Sequence, residues 1–150
     1  MKKLTALLLV GCALTLARPA LAQFAKAEDA IKYRQNALFV MQQNFSRVAG
    51  MAAGKIPFDA KVAAESAAVA EFMSKLPWAG FGPGTDKGDT DAKPEIWNQK
   101  AKFDDYATKM QTEMGKLAVA AKSGNLGNIK LAVGAVASAC KACHDDFRAK

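Results

Sequence analysis

Histidine and cysteine are scarce in this sequence, since its 150 residues contain one His and three Cys. A structural zinc site ordinarily takes four Cys or His ligands, so these numbers leave little room for one. Five Pro and eleven Gly exclude collagen-like and Pro-rich fibrous classes. Apolar residues are plentiful at 51%, beside 23% charged and 8% aromatic residues. This composition indicates one folded domain and excludes an intrinsically disordered chain.

The first 22 residues predict a cleaved secretory signal peptide. Lys2 and Lys3 form a basic start, residues 4–16 are mainly apolar, and residues 20–22 read Ala-Leu-Ala, a small-x-small cleavage site before Gln23. The apolar run is too short to span a bilayer comfortably. We therefore expect export to the periplasm and no stable membrane insertion.

Cys12 offers a second interpretation of the same segment. The three residues before it resemble a bacterial lipoprotein box, which would make Cys12 a lipid attachment site. However, Cys12 comes very early and the residues after it continue the apolar run, so cleavage before Gln23 is favoured. The predicted mature domain is then residues 23–150.

Much of the positive charge belongs to the predicted leader. Lys2, Lys3 and Arg18 lie there without any acidic residue, so removal of the leader lowers the formal net charge from +7 to +4. The remaining Lys and Arg residues are interspersed with Asp and Glu rather than clustered. The sequence therefore indicates no nucleic-acid-binding stripe, and we expect no nucleic-acid partner.

Four amphipathic segments predict helices, and no segment convincingly predicts a strand. The first runs from about Ala27 to Ala52 and carries Arg34 at a seam position, where a charge needs an exit to solvent or a buried anionic partner. The second follows Asp59, a candidate N-cap, and stops at Pro77. Its predicted buried face comprises Val62, Ser66, Val69, Met73 and Leu76.

The third helix is predicted to begin at Pro94 and the fourth at Leu126. In the fourth, Cys140 and Cys143 belong to the apolar rows and are expected to face the core. Residues 77–94 predict a long loop, and loops of this length usually carry function. The fold class that follows is all-α: an antiparallel up-down-up-down, left-handed four-helix bundle.

Residues 140–144 carry the C-x-x-C-H signature of covalent haem attachment. Cys140 and Cys143 lie on one helical face and can form thioethers with the two vinyl groups of a porphyrin. The adjacent His144 presents its imidazole to the iron as an axial ligand. Because the only His of the chain falls in this motif, we predict one covalently attached haem c with its iron. Export agrees with this, since c-type cytochromes mature outside the cytoplasm.

Three other interpretations of Cys140 and Cys143 stay open. A thioredoxin-type dithiol usually belongs to a βαβ unit and a helix N-terminus, whereas this pair lies near the end of a helix. A zinc site lacks a fourth soft ligand. A disulfide suits an exported protein, but it would span one helical turn and constrain little. Haem attachment is favoured over all three.

The sixth coordination position of the iron is either filled by Met or left open. Met41, Met73, Met110 and Met114 are candidate ligands by helical phase, although each is more often a core residue. Leu38, one turn before Met41, is the favoured residue to cap the open face with hydrocarbon. The iron is then five-coordinate, high-spin and able to accept a diatomic gas.

The sequence resembles the cytochrome c′ family over the whole of residues 23–150. The similarity rests on residues 24–26, 33–35, 76–78, 81–85, 93–97 and 140–148. The resemblance implies a left-handed four-helix bundle, commonly a homodimer, with a pentacoordinate haem. It implies covalent attachment at Cys140 and Cys143 and axial ligation by His144.

The resemblance also implies a pocket built around the haem. Arg34 and Gln35 match the pair that contacts the haem propionates, which would supply the anionic partner of Arg34. Leu38 matches the residue that blocks the sixth position, with Trp78 and Phe81 as pocket walls.

Three further residues are matched on the loop and at the C-terminus. Asp91 and Lys93 align loosely with residues at the haem edge, because this loop looks longer than in close relatives. Arg148 resembles a basic residue beside the proximal imidazole, and its alternative role is a charge that complements the helix dipole.

Two functions share this predicted site. One is single-electron transfer with an unidentified redox partner, and the other is binding of nitric oxide or carbon monoxide as a buffer, scavenger or sensor. A six-coordinate, low-spin His/Met electron carrier is the alternative ligation state. A peroxidase ordinarily needs a distal acid–base group, and a hydrocarbon face without a second His argues against one. We therefore expect a non-enzymatic haem protein.

Overall fold

A computed structural model describes residues 23–149, so the predicted leader and Cys12 lie outside the described residues. Within this range the regular elements are α1 (Ala27–Ala52), α2 (Ala60–Met73), a 3-10 helix (Pro77–Gly80), α3 (Glu95–Asn98), α4 (Lys100–Lys122) and α5 (Leu126–Phe147). The four long helices pack in chain order around one core, and α1 closes the ring by contacting α5. The predicted all-α four-helix bundle is confirmed.

The second helix starts where the sequence predicts, but its buried face differs. Asp59 caps α2, and its Oδ1 accepts a hydrogen bond from the backbone N–H of Val62 at 3.0 Å. Val69 was expected inside and is 42% exposed, and Leu76 lies beyond the helix end. The buried residues are small: Ala63, Ser66, Ala67 and Ala70. Their size lets the neighbouring helices approach α2 closely, because the distance between helix axes depends on the side chains at the contact.

The third predicted helix is divided in two. Residues Glu95–Asn98 form the single turn α3, Gln99 leaves the helical region with φ −121° and ψ 44°, and α4 continues from Lys100. Trp97 holds α3 against the preceding loop, since its indole Nε1 donates to the carbonyl oxygen of Gly82 at 2.9 Å. The prediction of one continuous helix from Pro94 is therefore wrong at this break.

The segment between α2 and α3 is long, as predicted, but it contains the 3-10 helix and is tied to the end of α5. We refer to residues 80–93 as the 80–93 loop. The backbone N–H of Lys93 donates to the carbonyl oxygen of Phe147 at 3.0 Å, and that of Ala149 donates to Asp91 at 2.8 Å. These bonds flank an isolated antiparallel bridge between Ala92 and Arg148. The loop therefore packs against the C-terminal end of the last helix.

Many of the apolar residues that recur every seven positions along the predicted helices are buried in the bundle. They include Ile31, Met41, Val48, Ala52, Phe103, Met110, Met114, Leu117, Ile129 and Val136. Cys140 and Cys143 are only half-buried, because they line a cavity rather than the packed centre. Both cysteines therefore face inward as expected, and each packs partly against the core while it lines the cavity.

The last helix has the length and hydropathy of a membrane-spanning segment. Among residues 23–149 it is the one helix that passes this test, with mean hydropathy 1.2 over its most apolar window. In the bundle, Ile129, Val136 and Ala139 of α5 are buried, whereas most of its apolar window is not. The absence of stable membrane insertion stays a prediction.

Replacing Asp59 by Ala removes the side-chain acceptor that caps α2. We expect the free energy of unfolding to fall by about 1 kcal/mol, because an amide N–H at the helix start loses its partner. Urea denaturation of both proteins measures the change. Asp105→Ala on the exposed face of α4 is the matched control and should change stability by less than about 0.5 kcal/mol. Equal losses in the two variants would contradict the capping role.

Candidate functional site

A cavity of about 590 Å³ lies between α1, the 80–93 loop and the C-terminal part of α5. Its lining is mainly apolar, and its volume lies within the range of about 300–1,000 Å³ typical of ligand pockets. Because α1 and α5 are the first and last helices, residues more than 100 positions apart meet in its walls. The cavity is the candidate functional site.

Ten of the eleven site residues predicted from the sequence line this cavity. They are Arg34, Gln35, Leu38, Trp78, Phe81, Asp91, Cys140, Cys143, His144 and Arg148. Lys93 lies outside the lining. Its Nζ donates to the carbonyl oxygens of Asp145 at 3.3 Å and Asp146 at 3.1 Å, so it fastens the 80–93 loop to the end of α5.

The two thiols lie one turn apart on α5 in the cavity wall. Burial raises the pKa of the Cys140 thiol. The pKa of Cys143 is raised to about 11, first by burial and then by repulsion from the charge of Asp146 and from Cys140 in its ionised form. Both groups are therefore neutral thiols at pH 7, half-buried in the cavity wall.

These features disfavour two of the alternatives for the cysteine pair. A redox-active dithiol has a lowered pKa and lies at a helix N-terminus, whereas Cys140 and Cys143 have raised pKa values near a helix C-terminus. Within residues 23–149, no group of three or more His, Cys, Asp or Glu side chains is arranged to hold a metal ion. A zinc site therefore lacks its donor set in the part of the chain that the structure describes.

His144 follows Cys143 on α5 and faces the same cavity. Partial burial lowers the pKa of its imidazole, and the positive charge of Arg148 lowers it further, against a smaller opposing effect of Asp145. The ring is therefore neutral at pH 7, and a neutral imidazole keeps a nitrogen lone pair that can bind a metal ion.

Arg34 is buried, with 2% of its surface exposed, so it has no exit to solvent. Nη1 donates to the carbonyl oxygen of Gly80 at 2.7 Å and to Oγ1 of Thr85 at 2.8 Å. Nη2 donates to the carbonyl oxygen of Thr85 at 2.8 Å and to Oγ1 of Thr90 at 2.7 Å. No Asp or Glu of residues 23–149 forms an ion pair with this guanidinium. Neutral loop oxygens engage four of its five N–H groups, and the Nε–H group is the donor that these bonds do not use.

Two other polar residues of the lining, Gln35 and Arg148, connect the 80–93 loop to the helices. Gln35 Nε2 donates to the carbonyl oxygen of Asp89 at 2.8 Å. Arg148 caps the C-terminus of α5, and its Nη2 lies 3.1 Å from Oδ2 of Asp91. Both side chains of this ion pair are more than half exposed, so it contributes little to stability. It does place a positive charge at the cavity edge near His144.

Apolar side chains and thioether sulfur also line the cavity. Leu38 and Met41 contribute from α1 and Met114 from α4, so two of the four Met candidates reach the cavity. Met73 and Met110 lie outside the lining, although all four occupy seam positions in the sequence. The tertiary structure therefore reduces the candidate thioether ligands to two.

Aromatic rings close the cavity beside the loop. The rings of Trp78 and Phe81 stack with their centroids 6.1 Å apart, and the ring centroids of Phe103 and Phe81 are 4.9 Å apart. Phe147 meets Phe103 edge-on at 5.5 Å, an arrangement favoured by the ring quadrupoles. The indole Nε1 of Trp78 donates to the carbonyl oxygen of Ser74 at 2.7 Å, which fixes the ring in the wall.

Several lining residues were not predicted from the sequence. On α1 they are Phe39, Gln42, Phe45 and Ser46, and beyond it they include Thr90, Ala92, Ile96 and Phe103. Steps of three and four residues from Gln35 and Leu38 reach all four on α1, so helical periodicity could have found them. No sequence signal locates Thr90, because its position depends on how the loop folds back.

The lining fits a flat, largely apolar macrocycle. Two thiols and an imidazole on α5 can hold it covalently and through its metal, and hydrocarbon from α1 can cover its other side. Arg34 and Gln35 supply polar groups suited to carboxylates. The cavity therefore has the donors, the volume and the polarity that a haem c requires.

Known proteins share this sequence and architecture. A family model described as Cytochrome C' matches residues 29–148. The cytochrome c′ of Rubrivivax gelatinosus is 52% identical over 129 residues, which cover 85% of this chain and 100% of the relative. Its crystal structure matches with a TM-score of 0.81 over 84% of this chain and 99% of that chain.

Two further solved structures of cytochromes c′ are similar to this chain in sequence and in fold. Cytochrome c′ from Shewanella frigidimarina is 43% identical and matches with a TM-score of 0.82 over 85% of this chain and 99% of its own. A nitric oxide complex of a variant cytochrome c′ from Alcaligenes xylosoxidans is 44% identical and matches with a TM-score of 0.80 over 85% and 99%. With a family model that spans most of the described residues and relatives covered along almost their whole length, this chain belongs to the cytochrome c′ family.

Proposed function

We propose that residues 23–150 form a periplasmic haem c protein that transfers single electrons, binds nitric oxide or carbon monoxide, or does both. Cytochromes c′ bind covalently attached haem c, whose iron supplies one-electron redox chemistry and a coordination position for a small gas. The observation that carries the proposal is the cavity in which two thiols and the single His meet hydrocarbon from α1. The side chains bind and enclose the cofactor, and none acts as a catalytic group.

Cys140 and Cys143 are proposed to bind the porphyrin through thioethers. Each S–H would add across one vinyl group, so that sulfur and hydrogen would end on neighbouring carbons and no oxidant would be consumed. His144 binds the iron through its neutral imidazole. All three side chains come from the last two turns of α5, so one rigid element holds the cofactor.

The remaining site residues are proposed to position and shield the haem. Arg34, through the Nε–H group that its loop bonds leave unused, and Gln35 would hold the propionates. Leu38 would shield the iron from water. Trp78 and Phe81 form the wall beside it.

On the loop side, Asp91 and Arg148 lie at the cavity edge near His144. The charge of Arg148 favours the neutral form of that imidazole. Lys93 is proposed to act indirectly, because it holds the loop to α5 from outside the cavity.

A six-coordinate, low-spin carrier is the second candidate. It is favoured by Met41 and Met114, whose side chains line the same cavity as Leu38. The nitric oxide complex of the Alcaligenes xylosoxidans relative supports gas binding and hence the five-coordinate state.

Homodimer formation is part of the proposal. Phe39 and Val40 on α1 are 60% and 38% exposed, and Val69 and Phe72 on α2 are 42% and 61% exposed. Apolar side chains exposed on two adjacent helices are typical of an interaction surface.

The first test is the mass of the protein purified from the periplasm. We expect the mass of residues 23–150 plus one haem, and we expect the colour to stay with the chain after denaturation. A variant with both Cys140→Ser and Cys143→Ser should release all of its haem on denaturation, because no thioether remains. Cys12→Ser is the matched control and should give the wild-type mass. Colourless wild-type protein would contradict the proposal.

The visible spectrum of the reduced protein distinguishes the two ligation states. A five-coordinate iron gives a broad high-spin spectrum that carbon monoxide changes strongly. A sharp low-spin spectrum that the gas leaves unchanged would indicate Met ligation and exclude the open site. In that case Met41→Leu or Met114→Leu should convert the low-spin spectrum to a high-spin one. Met110→Leu changes a residue outside the cavity and should leave the spectrum unchanged.

Leu38→Ala tests the shielding of the iron. Removing the side chain is expected to speed carbon monoxide association about tenfold or more, which corresponds to about 1.4 kcal/mol of the barrier. Stopped-flow mixing of reduced protein with the gas measures the rate. Leu131→Ala on the 77% exposed outer position of α5 is the matched control. An unchanged rate in Leu38→Ala would remove this residue from the shielding role.

A further inference from the structure

One buried side chain of α1 makes four hydrogen bonds to the 80–93 loop. The Arg34 guanidinium bonds to oxygens of Gly80, Thr85 and Thr90, at distances between 2.7 and 2.8 Å. Hydrogen bonds from a charged donor are stronger than neutral ones. Arg34 cannot lose its proton at physiological pH, so the loop oxygens must stay in place to satisfy a permanent buried charge.

The loop also lies unusually close to α1 at its first residue. A Cβ on Gly80 would lie 2.6 Å from the carbonyl oxygen of Ala30 and 2.8 Å from Cβ of Arg34. Only glycine permits this approach without displacement of the backbone. At the other end of the contact, Gln35 Nε2 bonds to the carbonyl oxygen of Asp89. The loop is therefore held to one helix at both ends of its first ten residues.

The residues held in this way form part of the cavity wall. Phe81 lies against the Arg34 guanidinium, with the central carbon 4.4 Å from the ring centroid, a favourable cation–π geometry. Phe81, Thr90 and Asp91 all line the cavity. Movement of the loop would move one wall of the site.

We propose that Arg34 is a positioning residue that sets the shape of the cofactor cavity through the loop, by way of Thr85 and Thr90. The inference rests on the proposed haem site. It assigns to Arg34 a second route of action, separate from a direct contact with the propionates. The guanidinium binds the hydroxyls of Thr85 and Thr90 together with the carbonyl oxygens of Gly80 and Thr85.

Trypsin cleavage after Lys87 reports on the position of the loop. Lys87 is exposed, and it carries the one tryptic bond of the 80–93 loop, because Lys93 precedes Pro94. In the holoprotein, Thr90→Val removes a hydroxyl that Arg34 uses, and Thr90→Ser keeps it. We expect cleavage to be about tenfold faster in Thr90→Val and unchanged in Thr90→Ser. Only the former loses the charged hydrogen bond from Arg34, together with the bond that Thr90 Oγ1 accepts from the backbone N–H of Ala92 at 3.1 Å. Thr112→Val, whose hydroxyl bonds within α4, is the matched control.

A second variant separates the two routes by which Arg34 can act. Arg34→Gln should accelerate cleavage by at least about tenfold. Adding Thr90→Val should then accelerate it by a smaller factor than Thr90→Val does in the wild type, because the Arg34–Thr90 bond is already absent and only the Ala92–Thr90 bond remains to be lost. The carbon monoxide association rate should move in the same direction in both single variants. If Arg34→Gln does not fold, the comparison of Thr90→Val with Thr90→Ser still tests whether the Thr90 hydroxyl holds the loop in position.

Wild-type cleavage in Thr90→Val would overturn the inference, as would a change in gas binding confined to the Arg34 variant. Each protein is weighed before digestion. A mass without haem would contradict the proposed function, whereas the cleavage rates would still test the attachment of the loop to α1.

Discussion

The space between α1 and α5 is the constraint on which the rest of this structure depends. Close packing of apolar side chains stabilises a four-helix bundle, and an unfilled cavity costs stability because its walls lose their contacts. Here a cavity of about 590 Å³ lies between the first and last helices. A bundle that keeps such a space open gains stability when a large, mainly apolar ligand fills it.

Two groups of residues frame the cavity from opposite sides. On α5, Cys140, Cys143 and His144 occupy consecutive turns of one rigid helix. On α1, the buried Arg34 holds the 80–93 loop through four hydrogen bonds. The loop then crosses to α5, where Lys93 and Asp91 bond to the chain end. The loop therefore ties together the two helices that frame the cavity.

Most of the fold could be predicted because seven-residue spacing is a local property of the chain. The bounds of α1 follow from it, and much of the predicted seams is buried. The Asp59 cap is also local, because it follows from the preference of Asp for the N-cap position. Val69 and the break at Gln99 could not be predicted in this way. The face of α2 that is buried depends on how closely small side chains let its neighbours approach, and the break accompanies a bond from Trp97 to a loop that folds back from an earlier part of the chain.

The residues that attach the haem could be predicted from the motif at residues 140–144, because two thiols and an imidazole at this spacing lie close together on any helix. The hydrogen-bond acceptors of Arg34 could not be predicted from the sequence. Its position on a seam indicated a buried charge in need of compensation, yet the compensating atoms are neutral oxygens of Gly80, Thr85 and Thr90, some 46 to 56 positions along the chain. Likewise, four methionines are equivalent by helical phase, and only packing separates Met41 and Met114, which reach the cavity, from the two that do not. Local order follows from spacing along one helix, whereas contacts between distant segments arise only when the helices and the loop pack together.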